Sequence, residues 1–316
     1  MTTSVEDGLM FPPNPLINEI MVRCLAHAQS LHPVTICDIL IEPTHVHLIL
    51  QVIDPQDAAD FMERFKCESA HAVNRLLGRK KKTVWCEGYD SPLIEDAQTL
   101  IDRIAYIYEN PAKDNLEESV RDFPGLNTFA LREALAEGEE FTEKEFQTAL
   151  FARSDIKPLP KGKKLTQLDF MRIRRQLIKD KPPIAFTVSP NAWMKRFGIL
   201  SKEDQQRSNQ QIVAELTTRE EKHQKRRNSE GKRVLGASKL KNTPVGAPYI
   251  PERTGYKMLT HSLDKATRIR TITWMRELIQ KGKTVLEKWR SGDFSVRYPL
   301  GLFPPTGIRI AEPIGW

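Results

Sequence analysis

Two strand-length apolar runs joined by a three-residue turn constrain the fold of this chain more than any other feature. Residues 34–41 form a run rich in β-branched side chains, and residues 45–53 form a second run. The turn between them is Glu42-Pro43-Thr44. Runs of this length and composition predict β-strands, and so short a connection makes them antiparallel neighbours.

Segments with a helical spacing of apolar residues lie before and after this strand pair. This spacing predicts helices at 15–30, 55–77 and 97–110, the last one stopped by Pro111, and a short strand lies at about 83–89. The resulting order is helix, strand, strand, helix, strand, helix. This order is typical of an α+β fold with an antiparallel sheet, and it is ferredoxin-like if one more strand precedes the first helix.

The charge of the chain divides it into two unlike parts. Residues 1–150 carry a net charge of −13, and residues 151–316 carry +20. We expect a first domain at 1–130, acidic helices and a linker at 131–165, and a basic, mostly helical extension at 166–316. An asymmetry of this size indicates a polyanionic partner for the second part.

Several classes of protein are excluded by composition. No apolar run reaches the length of a membrane span, and residues 1–14 lack the basic start of a secretory signal. The four cysteines show no CxxC spacing, which is typical of reduced thiols. We therefore expect a cytoplasmic protein with no membrane partner.

A histidine pair in the second strand is the first candidate site. Side chains at i and i+2 of a strand share one face, so His45 and His47 project together. Two imidazoles form a partial metal site that needs a third ligand from elsewhere. On its own this pattern is weak, because most such pairs bind nothing.

A helical wheel of residues 97–110 offers the missing groups. Tyr108 lies in the apolar stripe, whereas Tyr106 and Asn110 are one turn apart on the opposite side. An amide oxygen is a reasonable third ligand for Mg²⁺ or Mn²⁺, and a tyrosine can attack a phosphate that a metal polarises. The alternative is a surface tyrosine and a helix-ending asparagine.

Four motifs in order resemble one family. They are PTHVHLIL at 43–50, VNRLLGR at 73–79, VWCEGYD at 84–90 and YIYENPAK at 106–113. Together they resemble the REP-associated tyrosine transposases, the single-tyrosine HUH group. The likeness covers residues 3–130, and residues 289–301 resemble the end of its long-tailed members.

The resemblance implies a mechanism and a set of residues. His45, His47 and Asn110 would bind one Mg²⁺ or Mn²⁺ ion, and Tyr106 would be the nucleophile. Such an enzyme cleaves single-stranded, hairpin-forming DNA as an endonuclease and holds the 5′-phosphate as a phosphotyrosine. Rejoining to another strand completes DNA transposition or recombination without ATP.

The chain departs from the family pattern at three places. Glu42-Pro43-Thr44 replaces the usual Met-Pro-Asn, and Asp114-Asn115 replaces the usual Ala-Gly. Only Thr2, Thr3 and Ser4 remain to supply the family's first strand. We expect that strand to be truncated, or the true start to lie upstream.

Basic clusters supply candidate contacts to DNA phosphates. These are Arg79, Lys80, Lys81, Lys82, Arg172, Arg174, Arg175, Lys225, Arg226, Arg227, Lys232 and Arg233. No helix-turn-helix or zinc-finger spacing is visible, so we expect backbone and shape recognition with strong salt dependence. Removing the residues beyond about 155 is expected to abolish most DNA affinity and to leave the metal site formed.

Three hypotheses follow. The first is a metal-dependent transposase-like strand transferase acting on single-stranded or hairpin DNA, as a monomer or a homodimer. The second is a domesticated or decayed DNA-binding protein of the same fold without catalysis. The third is a phosphoesterase of another HxH type, which would not need Tyr106.

Overall fold

The computed structural model describes residues 1–6, 9–80, 82–160, 162, 165–247, 259–262, 264–302 and 307–311. The strands are β1 (Thr2–Ser4), β2 (Thr35–Ile41), β3 (His45–Gln51), β4 (Leu93–Ile94), β5 (Lys144–Ala149), β6 (Pro183–Val188) and β7 (Thr260–His261). The helices are α1 (Pro15–Leu31), α2 (Pro55–Leu76), α3 (Ala97–Lys113), α4 (Phe129–Ala136), α5 (Gln167–Ile178), α6 (Lys202–Ser229), α7 (Ala237–Asn242) and α8 (Lys265–Arg290). The α+β class is therefore confirmed.

The main sheet has five strands in the order β1-β3-β2-β6-β5. β3 lies antiparallel between β1 and β2, and Thr2 pairs with His47 in the register of β1. A strand pair separated by a third strand is the split arrangement of ferredoxin-like folds. The three residues of β1 therefore occupy the place of the expected first strand.

Residues 83–89 do not form the strand that was predicted for them. They follow β1 through two isolated antiparallel bridges, Thr2 to Asp90 and Val5 to Trp85. Gly88 has a positive φ of 70°. Backbone of that conformation does not continue a regular ladder. The edge of the sheet is thus covered by an irregular segment.

Helices cover both faces of the sheet. Side-chain caps from Asn14, Asp54 and Asp96 begin α1, α2 and α3. One core contains Val46 and Leu48 of β3 together with apolar residues of α1, α2 and α5. The other core contains Ile49 of β3 together with residues of α3 and α6. The alternation of β3 therefore turns its histidine face toward α3.

Two predicted element boundaries are wrong. Helix α3 continues through Pro111 to Lys113 and does not stop before the proline. Residues 131–150 are not all helical, because α4 ends at Ala136 and β5 begins at Lys144. β5 pairs with β6, and Ile36 of β2 bridges Val188 of β6. The sheet thus extends beyond residue 130, and the proposed domain division stays a prediction.

A buried ion pair joins the sheet to the helices on the α3 side. Arg132 of α4 is fully buried and donates two hydrogen bonds to Asp38 of β2, at 2.9 and 2.7 Å. Tyr108 of α3 donates to the same carboxylate, and Asn209 of α6 accepts from Arg132. Removing one partner would leave a buried charge uncompensated, so this network fixes four elements in one arrangement.

Candidate functional site

His45 and His47 lie side by side on the α3 face of β3. Their rings are stacked with centroids 5.9 Å apart and planes 15° apart. The Nδ1 atom of His45 is 2.8 Å from the Thr44 hydroxyl, and that of His47 is 3.0 Å from the Thr2 hydroxyl. In the tautomer in which each Nδ1 donates to its threonine, both Nε2 lone pairs are free to bind a metal.

Both imidazoles are held in the neutral form. Burial lowers the pKa of His47 to about 3, with the amino-terminal ammonium as a further cause. Burial, followed by the neighbouring His47, also lowers the pKa of His45 below its ordinary value. Because only a neutral imidazole can donate a lone pair, these shifts suit metal ligands.

Asn110 owes its orientation to the proline that follows it. Pro111 has no N–H, so the carbonyl of Ile107 loses its usual helical partner. The Nδ2 atom of Asn110 donates to that carbonyl at 3.0 Å and to the carbonyl of Tyr106 at 3.2 Å. The amide oxygen is thereby turned away from the helix backbone; it accepts from Lys113 and has a second lone pair that could bind a metal.

Lys113 connects the candidate nucleophile with the candidate ligand. Its ammonium donates to the Tyr106 hydroxyl at 3.2 Å and to Oδ1 of Asn110 at 3.1 Å. It also lies 4.8 Å from the centroid of the Tyr106 ring, and the guanidinium of Arg103 lies 5.0 Å from the same ring. The sequence analysis did not single out Lys113, although it falls inside the YIYENPAK motif.

The end of α3 faces the histidine pair. The charges of Lys113 and Asp114 act on both His45 and His47. Since Lys113 also contacts Tyr106 and Asn110, the end of α3 that carries these two residues lies near the histidine pair. The wheel was right about Tyr108, which is fully buried, but Asn110 is also buried, with 3% exposure, and Tyr106 is half-buried. The opposite side of α3 is covered by α6, which the wheel could not show.

Glu42 is a further acidic group of this cluster. It is 3% exposed, and its Oε2 atom lies 3.4 Å from Nε2 of His47. Its Oε1 atom is buried without a hydrogen-bond partner among the described atoms. Burial, followed by the charge of Asp114, raises the pKa of this carboxyl to about 8. Strand alternation from Asp38 through Leu40 could have placed Glu42 on the histidine face.

The donor atoms of the site are of the kinds that bind a divalent ion. In the described part of the chain, no three His, Cys, Asp or Glu side chains converge closely enough to hold a metal. The two imidazoles therefore need a further ligand, for which the Asn110 oxygen is the candidate. The orphaned oxygen of Glu42 beside His47 supports the fit, because a buried acceptor without a donor is costly unless a cation satisfies it.

The basic residues of the first half have mixed environments. Lys80 and Lys82 are exposed, whereas Arg79 is half-buried and donates to the Asn74 side chain and to the Thr83 carbonyl. Lys81 lies outside the described residues. Arg79 therefore partly serves to stabilise the turn in which it lies.

The basic residues of the second half also divide into two groups. The exposed ones are Arg172, Arg175, Lys225, Arg226, Lys232 and Arg233. Arg174 is paired with Glu19 at 2.6 Å. Arg227 is 1% exposed and donates to the Ala112 carbonyl and to Glu118. The expected role of Arg227 in DNA binding is corrected here, because a side chain so enclosed cannot reach a phosphate.

Helix α6 and the segment after it clamp the end of α3. Arg226 donates to the carbonyl of Lys113 at 2.8 Å, next to the bond from Arg227 to Ala112. Farther along the chain, the backbone N–H of Leu235 donates to Asn115 at 2.8 Å. Cations at a helix carboxyl end satisfy unpaired carbonyls and oppose the helix dipole. The clamp thereby fixes the turn of α3 that carries Asn110.

Fold and site together define an α+β protein in which a strand-borne histidine pair faces a tyrosine and an amide on one helix. Residues 15–110 match the model of the family described as IS200-like transposase. The matched stretch begins at α1 and ends at Asn110, so it includes the histidine pair and Tyr106. This part of the chain is similar to those transposases, which supports a DNA transposase-type function.

Searches of the curated proteins and of the solved structures gave no match to the chain. No helix among the described residues is long and apolar enough to cross a membrane.

Proposed function

We propose that the protein is a tyrosine-dependent DNA strand transferase of the REP-associated, single-tyrosine HUH kind. The observation that carries the proposal is the cluster of His45, His47, Tyr106 and Asn110, joined by Lys113 at the end of α3. The proposed substrate class is single-stranded or hairpin-forming DNA, as the resemblance to the single-tyrosine HUH transposases implies.

The chemistry is a reversible exchange of phosphate esters. The Tyr106 oxygen attacks the scissile phosphorus, the bond from phosphorus to the 3′ oxygen breaks, and the phenolic proton is passed on as the 3′-hydroxyl forms. The 5′-phosphate is then esterified to Tyr106. Attack by another 3′-hydroxyl reverses these changes, so no external energy source is required.

His45, His47 and Asn110 would hold one Mg²⁺ or Mn²⁺ ion. When bound, the ion would supply positive charge against the non-bridging oxygens of the phosphate. Lys113 donates a hydrogen bond to the Tyr106 hydroxyl, which would hold the phenol in one orientation. The half-buried position of Tyr106 limits the number of side-chain conformers and so favours one line of attack.

Exposed cations outside the cluster would hold the DNA. Lys225, Lys232 and Arg233 lie at or just beyond the end of α6, close in sequence to the arginines that clamp α3. Phosphates bound there would lie near the helix that carries the nucleophile. Contacts of this kind are independent of base sequence and weaken steeply with salt.

A covalent-adduct assay tests the proposal. The protein is incubated with a labelled single-stranded hairpin oligonucleotide and Mg²⁺ or Mn²⁺, and a protein–DNA band is sought on a denaturing gel. We expect the band with the natural chain and with the control Tyr298→Phe, and no band with Tyr106→Phe. Binding without cleavage would favour the decayed DNA-binding protein, and cleavage that survives Tyr106→Phe would favour a phosphoesterase.

A further inference from the structure

The turn between β2 and β3 carries a carboxylate that the histidine pair alone does not account for. Glu42 is buried beneath the site, although an unpaired glutamate in that position is costly. Its two oxygens differ, since Oε2 lies beside His47 and Oε1 has no partner among the described atoms. A cation bound by Glu42 and His47 would compensate both oxygens of the Glu42 carboxylate.

The distance from Glu42 to His47 matches the distance that separates two ligands of one metal ion. Oxygen and nitrogen ligands lie about 2.0 to 2.2 Å from small divalent metals. Two such ligands at tetrahedral to octahedral angles are then roughly 3.0 to 3.5 Å apart. The 3.4 Å between Oε2 of Glu42 and Nε2 of His47 falls in this range.

The backbone also places Glu42 on the correct face. The N–H of Glu42 donates to the carbonyl of His45 at 2.8 Å, which continues the antiparallel register from Leu40 opposite His47. Glu42 is therefore the cross-strand neighbour of His45 and lies diagonal to His47. Such diagonal neighbours are within reach of long side chains.

On this basis, and resting on the metal centre of the proposed function, we propose that Glu42 is a ligand of that metal ion in addition to His45, His47 and Asn110. The site then has two imidazole nitrogens and two oxygens, one of them charged. Mixed nitrogen and carboxylate ligands of this kind suit Mn²⁺ better than Mg²⁺, which prefers oxygen ligands.

Manganese binding tests the assignment without any measurement of catalysis. MnCl₂ is titrated into the full-length protein, and the electron paramagnetic resonance signal of free aqueous Mn²⁺ reports the unbound fraction. We expect one site in the natural chain and a loss of affinity of at least about tenfold in Glu42→Gln, since even outer-shell partners contribute that much. Glu42→Met removes the buried polar group altogether and should lose Mn²⁺ to the same extent.

The matched control is Glu19→Gln. Glu19 is also a buried glutamate, with 6% exposure, but it pairs with Arg174 and Thr148 on the other side of the sheet. Equal Mn²⁺ affinity in the natural chain and in both Glu42 variants would overturn the role of Glu42 and leave the proposed function standing. No Mn²⁺ binding by the natural chain would overturn the metal centre itself.

Discussion

Arg227 and Lys225 stand two positions apart in one basic run, yet their environments are opposite. Lys225 is exposed, whereas Arg227 is enclosed against the last turn of α3. Sequence patterns count both as positive charge. Only the packing of α6 on α3 separates a side chain that can meet DNA from one that stabilises the fold.

This contrast gives a prediction with an internal control. Arg227→Ala should lower the free energy of unfolding by about 1 to 3 kcal/mol, because it leaves the buried carbonyl of Ala112 in α3 without its donor. Lys225→Ala should leave stability within about 0.5 kcal/mol and weaken DNA binding. Urea denaturation and a binding titration in rising salt measure the two effects. Equal stability of both variants would contradict the assignment.

Glu42 gives the metal-free protein a characteristic pH dependence. Its pKa is about 8 in the folded chain against an ordinary value of 4.5, so the folded state holds the proton more tightly than the unfolded state. The stabilisation is complete below pH 4.5 and is lost as the pH rises toward 8. Between pH 6 and pH 8 the loss should be up to about 3 kcal/mol, at about 1.4 kcal/mol for each pKa unit.

The comparison of the natural chain with Glu42→Gln measures that loss. The variant carries no ionisable group at this position, so the difference between the two unfolding free energies should shrink or reverse as the pH rises. Denaturation in a chelating buffer at several pH values supplies the measurement. A difference that stays constant over this range would show that Glu42 is ionised throughout.

Helix α3 ends in a way that explains one departure from the family pattern, the Asp114-Asn115 pair. The N–H of Leu116 donates to Pro111 at 2.8 Å, and the N–H of Asn115 donates to Ala112 at 3.3 Å. These two bonds form a Schellman motif with Asn115 in the left-handed conformation, at a φ of 56°. Asparagine tolerates that conformation better than most residues, so it can stand where the family has glycine.

Substitutions at residue 115 test this interpretation. Asn115→Gly should leave the melting temperature unchanged or raise it, because glycine adopts positive φ without strain. Asn115→Ala should cost about 1 kcal/mol and disturb the preceding turn. Thermal unfolding distinguishes them, and the reverse order of stability would argue against the left-handed ending.

Local patterns predicted the elements around the site well. The spacing of apolar residues located α1, β2, β3 and α2, and strand alternation placed His45 and His47 together. The extent of α3 was underestimated because the amide of Asn110 donates to the Ile107 carbonyl in place of the N–H that Pro111 lacks. The strand predicted at 83–89 was wrong, and so was the expectation that residues 131–150 are all helical, because pairing with distant strands decides such short segments.

The candidate site was only partly predictable. Tyr106 and Asn110 follow from helical phase together with motif resemblance, but neither shows that Lys113 joins them. Glu42 stood out only as a departure from the family pattern, since its burial depends on tertiary packing. Tertiary contacts between segments far apart in sequence carry this information.

At the scale of the whole molecule, the two charged halves are physically interlocked. β6 lies between β2 and β5 in the main sheet, and α6 covers α3. A chain shortened at residue 155 would lose both, and with them the partners of Arg132 in the buried network. The expectation that the metal site survives this truncation is therefore revised.

Two truncations separate folding from DNA binding. The chain ending at 155 should unfold or aggregate, because a sheet strand and the cover of α3 are missing. The chain ending at 247 keeps β6, α6 and α7 and loses β7 and α8, so the main sheet and the cover of α3 should remain folded, while the DNA affinity supplied by basic residues beyond 247 is lost. Circular dichroism melting and salt-dependent DNA titration check both. A well-folded 1–155 fragment would show that the first half is independent.

The clamp on α3 also restricts how such a chain can evolve by the exchange of gene segments. Where a nuclease and its DNA-binding tail are joined only by a linker, gene segments can be exchanged and the hybrid still works. Here the residues that close the helix of Tyr106, Arg226 and Arg227, are encoded in the other half of the gene. A functional hybrid protein would need α3 and α6 from the same parent, and its target preference would come from that parent.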